Sequence, residues 1–188
     1  MVRRRQPGPG LPGRRRRQLE KKVIGEPADH ALGRSRGGFG TKFHLVTDGA
    51  GLPLAVAVSA GQRHDSLYAE PVLRAVRIRR GNGRVRTRPR AVAGDKGYSY
   101  ARIRRYLRRR GIRAVIPTRK DQRRRPGFDR EAYRGRNVVE RCVGWLKESR
   151  AVATRFDKLA VNYLATVKLA MLQRYLRILT RNDSSDRP

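Results

Sequence analysis

The sequence predicts an α/β fold, on three observations. Two alternating runs, Thr41 to Thr47 and Leu54 to Ser59, flank Asp48-Gly49-Ala50-Gly51 and read as a hairpin. Ala91-Val92-Ala93 and Ala114-Val115-Ile116 are short apolar strands. Between them a helical pattern turns Ile103, Tyr106 and Leu107 inward, which makes a βαβ unit with parallel strands. Two further stretches, Tyr133 to Lys147 and Leu159 to Leu179, carry apolar residues at helical spacing.

Taken in order, the first 27 residues hold GPGLPG and the run Arg14 to Arg17. They carry too little apolar surface to offset the entropy of ordering, so this segment is expected to be disordered. Order should begin near His30, giving one domain over residues 28–180 and a flexible tail at 181–188. GRSRGGFGTK, Gly33 to Lys42, reads as a cationic loop without Walker A spacing. Asp48 is a turn former. In GQRHDS, Asp65 or Ser66 is placed to cap a helix carrying Leu67, Val72, Leu73 and Val76. Arg79 to Arg88 reads as a basic loop with no regular pattern, and Gly111 stops the βαβ helix. Arg119 to Arg130 is a second basic loop. In the last helix Leu164, Val167, Met171, Tyr175 and Ile178 recur at spacings of three and four. Leu169, Leu172, Leu176 and Leu179 should broaden that face, leaving Lys168, Arg174 and Arg177 outside.

Charge narrows the function classes. The 188 residues carry a formal net charge of +32, with 47 Lys and Arg against 15 Asp and Glu, and 39 of the 47 are arginines. Such a charge opposes compaction and calls for a polyanion, by default nucleic acid. Arginine adds forked contacts to phosphate that lysine lacks. Cys142 is the only cysteine, which excludes an intrachain disulfide and a cysteine-built zinc site and fits a reducing, cytoplasmic setting. His30, His44 and His64 have no metal-ligand spacing. No apolar run is long enough to span a membrane, and the basic start lacks the apolar stretch of a secretory signal.

Two carboxylates stand out. Asp95, in Gly94-Asp95-Lys96-Gly97-Tyr98, sits at the carboxyl end of the first βαβ strand, where open α/β sheets place ligands; it could also simply shape the strand-to-helix turn. Glu140 lies in YRGRNVVERCVGWLK. On one continuous helix from Tyr133, Arg136, Glu140 and Lys147 fall about 300°, 340° and 320° round the 3.6-residue wheel, so a tyrosine, two cations and a carboxylate share a stripe. Val139, Cys142, Val143, Trp145 and Leu146 then face a core. The competing reading starts the helix at Asn137, with Asn137 and Glu140 as a capping box, and dissolves the stripe.

These carboxylates stand in recognisable company. EPADHALGRSRGGFGTKFHLVTDGAGLPL, GQRHDS, GDKGY and YRGRNVVERCVGWLK together resemble bacterial insertion-sequence transposases of the DDE type, over about Glu26 to Leu179. Tyr133, Arg136, Glu140 and Lys147 reproduce the family's Y-R-E-K pattern, with two, three and six intervening residues. The resemblance implies an RNase H-like mixed sheet with flanking helices. It also implies three carboxylates holding two Mg²⁺ ions that act on DNA phosphodiesters. Asp95 and Glu140 match two of the three, as catalytic and metal-binding residues, while Tyr133, Arg136 and Lys147 match DNA-contacting positions. The family's first Asp lies on a strand upstream of GRSRGG. Here the Arg/Pro/Gly-rich start takes that place, with Asp29 a poor substitute. The expectation is therefore a truncated, impaired transposase whose sheet lacks its first strand. Its expected partners are double-stranded DNA, as element ends and target, and a second copy in a homodimer; its expected location is the nucleoid.

Overall fold

The computed structural model describes residues 30–35, 38–123 and 126–185, with side chains as far as Thr180. The expected disordered start, Asp29 and residues 186–188 lie outside the described residues.

The hairpin forms as expected. Strands β2 (Gly38–Thr47) and β3 (Pro53–Ala60) pair antiparallel from Thr41↔Ala60 to Val46↔Ala55, with a register shift at Val46/Thr47. Asp48 closes the turn, its Oδ1 accepting from the N–H groups of Ala50 (2.9 Å) and Leu52 (2.8 Å). The stretch expected to be a cationic loop contains a strand, β1 (Gly33–Ser35), folded back on the start of β2 with Gly33 opposite Gly40. The capping expectation fails. In the single 3₁₀ turn Asp65–Leu67 it is His64 whose side chain accepts from Ser66 N (3.2 Å), and helix α1 (Ala69–Ala75) follows with no side-chain cap. Asp65 is held instead by Lys42, 3.1 Å away.

Residues Arg79 to Arg88 are not patternless either. Strands β4 (Ile78–Arg79) and β5 (Val85–Arg86) form a small antiparallel ribbon. Both its faces meet solvent, so no alternation of apolar and polar residues marks it in the sequence. The βαβ unit is as expected: β6 (Ala91–Ala93) and β7 (Arg113–Val115) pair in parallel, Ala91 opposite Arg113, with α2 (Ala101–Arg109) between them. Then come α3 (Arg130–Arg134), α4 (Asn137–Glu148), α5 (Arg150–Ala153) and α6 (Ala160–Ser185), the last running past the expected boundary at 180.

The strands form three small sheets, ordered β1-β2-β3, β4-β5 and β6-β7, rather than one. A small cluster of Ala55, Val72 and Val76 packs α1 on β3, and two larger cores hold the described elements together. One gathers Cys142, Leu146, Val152, Tyr163, Val167, Ala170 and Met171 against Phe43 and Val58 of the hairpin. The other gathers Leu73, Ile103, Tyr106, Leu107, Ile112 and Ile116 under the βαβ unit. On α6 the expected wide apolar face is narrower than foreseen. Tyr163, Val167, Ala170 and Met171 are buried, but Leu169, Leu172, Leu176 and Leu179 are 66%, 53%, 52% and 60% exposed. A single docked helix face buries a stripe only about 100° wide, and those leucines lie beyond it. Arg174, expected outside, lies partly buried over the Trp145 ring at 5.1 Å.

Leu146 is fully buried and Leu172 half-exposed. Urea unfolding should therefore show Leu146→Ala losing about 2–5 kcal/mol and Leu172→Ala less than about 1 kcal/mol.

Candidate functional site

The strand β6 ends at Ala93 and delivers Asp95 two residues later as the cap of a one-turn 3₁₀ helix, Lys96–Tyr98. Asp95 Oδ1 accepts from Gly97 N at 2.8 Å. The flanking glycines make room for this. A Cβ on Gly97 would stand 2.9 Å from Asp95 Oδ1, and one on Gly94 3.3 Å from the Tyr98 ring. Asp95 thus shapes the turn, and it also lines a cavity of about 230 Å³ with His44 and Val46 of β2, Val92 of β6, Tyr98, and Arg136. The turn-shaping reading of that residue therefore holds.

Arg136, which lines that cavity, also holds the second carboxylate. Its Nη2 lies 2.7 Å from Glu140 Oε1, one helical turn on. Burial works against the Arg136 charge, but the hydrogen bond and charge of Glu140 outweigh it, helped by Tyr133 and Asp95, and its pKa rises. Arg136 thus pairs with Glu140 and lines the cavity that Asp95 lines, while Glu140 itself is not among the residues lining it.

The continuous helix from Tyr133 is not what forms. The helix breaks between Arg134 and Asn137, where i+3 bonds from Arg136 N to Tyr133 O (3.0 Å) and from Val139 N to Arg136 O (3.0 Å) tighten the chain. The competing reading is right about the start, since α4 begins at Asn137, but its capping box does not form: α4 has no side-chain cap and Glu140 pairs with Arg136. The Tyr133–Arg136–Glu140 grouping survives because Arg136 keeps helical dihedrals through the break, φ −57 and ψ −26. Its guanidinium lies over the Tyr133 ring at 5.6 Å. Lys147 is exposed in the last turn of α4, a rise of about 16 Å from Arg136 at 1.5 Å per residue.

Several neighbours were not singled out in the sequence. His44 Nε2 and Ser59 Oγ are 2.8 Å apart and buried, and the His44 ring stacks on Tyr68 with centroids 4.2 Å apart. Burial lowers the His44 pKa against the pull of Asp65, with Lys42 adding to the drop, so the imidazole is neutral at pH 7. Tyr98 is pushed up to about 12, by burial first and then by the carboxylates of Asp65 and Asp95. Tyr100 Oη meets His64 Nε2 at 3.1 Å. The one available signal was His44 itself, a polar residue set between the apolar Phe43 and Leu45 of β2.

The oxygen donors of Asp95 and Glu140 suit a hard divalent ion in kind. They do not suit it in number: among the described residues no three or more His, Cys, Asp or Glu side chains converge as a metal would need. Nor is any described helix long and apolar enough to cross a membrane.

Residues 12–173 match the model of the transposase DDE domain family. The chain belongs to that family. It is 35% identical over 176 residues to a Burkholderia cepacia protein named as a transposase for insertion sequence element IS402, covering 93% of this chain and 81% of that one. It is 30% identical over 137 residues to a Brucella ovis protein named as a transposase for insertion sequence element IS6501, covering 73% and 98%. No solved structure matches the chain significantly. The family match spans the hairpin, the βαβ unit, Asp95, Arg136 and Glu140 of this transposase-family chain alike.

Because the folded pKa of Tyr98 lies above the ordinary value of 10.0, its neutral form contributes stability that is fully present below pH 10. That contribution is lost as pH rises from 10 towards about 12. Ultraviolet titration should show a tyrosine ionising at about pH 12, absent in Tyr98→Phe and shifted downward in Asp95→Asn, while Tyr163 and Tyr175, also raised by burial, are unchanged in both.

Proposed function

We propose that this chain is the catalytic region of an insertion-sequence transposase, acting on double-stranded DNA at element ends and target through Asp95, Glu140, Arg136, Tyr133 and Lys147. The observation that carries the reading is Arg136, bonded to Glu140 while sharing a cavity with Asp95, in a chain of net charge +32. In this reading the Arg136 fork takes two oxygens of a backbone phosphate. The incoming phosphate competes with Glu140 for the same cation and so frees that carboxylate beside the scissile bond. The Tyr133 ring keeps the guanidinium oriented. Lys147 meets the same duplex about 16 Å further on, roughly five steps at 3.4 Å.

Asp95 and Glu140 would hold Mg²⁺ together with a third carboxylate that the described residues do not supply. When bound, such ions supply activation of a water or 3′-hydroxyl and neutralisation of the departing oxygen. With two carboxylates alone, cleavage is slow while DNA binding is strong. The shortfall in carboxylates favours a second reading, a basic binder of nucleic acid without catalysis.

Supercoiled plasmid with Mg²⁺ separates the two. The transposase reading expects slow nicking by the wild-type chain, lost in Glu140→Gln and in Asp95→Asn with duplex binding retained. Nicking that persists unchanged in Glu140→Gln would point to a contaminating nuclease and end the assignment of that residue.

A further inference from the structure

We propose that the β4–β5 ribbon is a second phosphate-binding surface, which seats the backbone of duplex DNA outside the Asp95–Glu140 cleft. From Pro71 to Gly94 the chain contains no carboxylate and eight arginines. Five of them, Arg80, Arg84, Arg86, Arg88 and Arg90, line an open cavity of about 620 Å³ with Val85, Thr87 and Gly111. All five are exposed, and among the described residues none forms an ion pair. Elsewhere Arg102, Arg113, Arg119 and Arg136 each have a carboxylate partner. An uncompensated arginine group of this size repels itself, and a polyanion relieves that repulsion.

The ribbon has no packing reason to exist. Two strands alone are marginal in water, and its apolar residues Ile78 and Val85 are 38% and 49% exposed. Yet its shape is fixed by the backbone. Arg80 N donates to Arg84 O at 2.9 Å, Asn82 Oδ1 accepts from Arg84 N at 3.1 Å, and Gly83 takes the positive φ of 76° that the turn requires. At its base Arg86 Nε donates to Arg88 O (3.2 Å), Arg88 Nη1 to Arg110 O and Arg110 Nη2 to Thr87 O (both 3.4 Å). Arginines carried on a held ribbon lose less freedom on meeting a phosphate backbone than a loose run would.

The ribbon is also placed to meet the same duplex as the cleft. Arg90 immediately precedes β6 and Asp95 follows it, so the two sites stand at opposite ends of one strand. Five residues at about 3.3 Å each separate them by about 16 Å, close to five steps of duplex. The two cavities share no lining residue. DNA running through the cleft towards the amino end of β6 would lie along the arginines.

This inference rests on the DNA-acting reading, and one experiment tells their failures apart. The whole chain binds a 30-base-pair duplex (about 100 Å long) in EDTA, where cleavage plays no part, across a range of salt. Arg80→Ala/Arg84→Ala/Arg86→Ala should make the slope of log affinity against log salt shallower by about 2–3, near 0.9 for each phosphate left unneutralised, and weaken binding at least about tenfold at 0.15 M salt. The charge-matched triple Arg105→Ala/Arg109→Ala/Arg150→Ala, outside both cavities, should change the slope by less than half as much, and the ribbon triple to lysine should recover most of the slope. Equal losses from the two alanine triples would overturn the ribbon as a site, as would an effect confined to duplex RNA. A wild-type chain that binds no duplex fails the DNA-acting reading itself.

Discussion

The guanidinium of Arg136 is where the two halves of the described chain meet chemically. On one side it bonds Glu140 within the first turn of α4; on the other it lines the cavity into which the β6 turn carries Asp95. Glu140, through its bond, and Asp95, through its charge, both favour the charged form of that guanidinium. The same cation is the natural seat for a phosphate. An arrangement that keeps acids near an anion-binding group is therefore tolerable at rest and becomes useful once a phosphodiester arrives.

Much of the scaffolding exists to hold that junction. Cys142 and Leu146, on the other face of α4, are buried against Val167 and Met171 of α6 and the hairpin residues Phe43 and Val58. The helix is thereby fixed in position along the sheet. Ile103 and Leu107 of α2 anchor the βαβ unit in the same way and set where β6 ends. Between the hairpin and the βαβ unit the strands do not hydrogen-bond to one another, and an apolar cavity takes the place of a ladder.

The parts legible in the sequence were those fixed by local chemistry. The β2–β3 hairpin followed from alternation and the Asp48 turn, the βαβ unit from two short apolar strands with a helix between, and Asp95 from its place at a strand end. Other features depended on tertiary surroundings that a one-dimensional pattern does not carry. The break at Gly135 and Arg136 divides a stretch that reads as one helix. The helix cap expected of Asp65 or Ser66 is absent: His64 caps the preceding 3₁₀ turn and Asp65 pairs with Lys42. The leucines of α6 share a helical spacing with the core residues but point past the surface the helix docks on. The β4–β5 ribbon carried no apolar alternation because neither face is buried. The family signature located Glu140 and Arg136, whereas their coupling to Asp95 is a property of the folded chain.

The most direct test of the account is a crystal structure of the whole chain with a duplex oligonucleotide. The expected result is a backbone phosphate on the Arg136 guanidinium, with the carboxylates of Asp95 and Glu140 facing each other across the cleft on either side of it. Carboxylates turned to separate sides of the molecule, or a duplex bound away from Arg136, would contradict it.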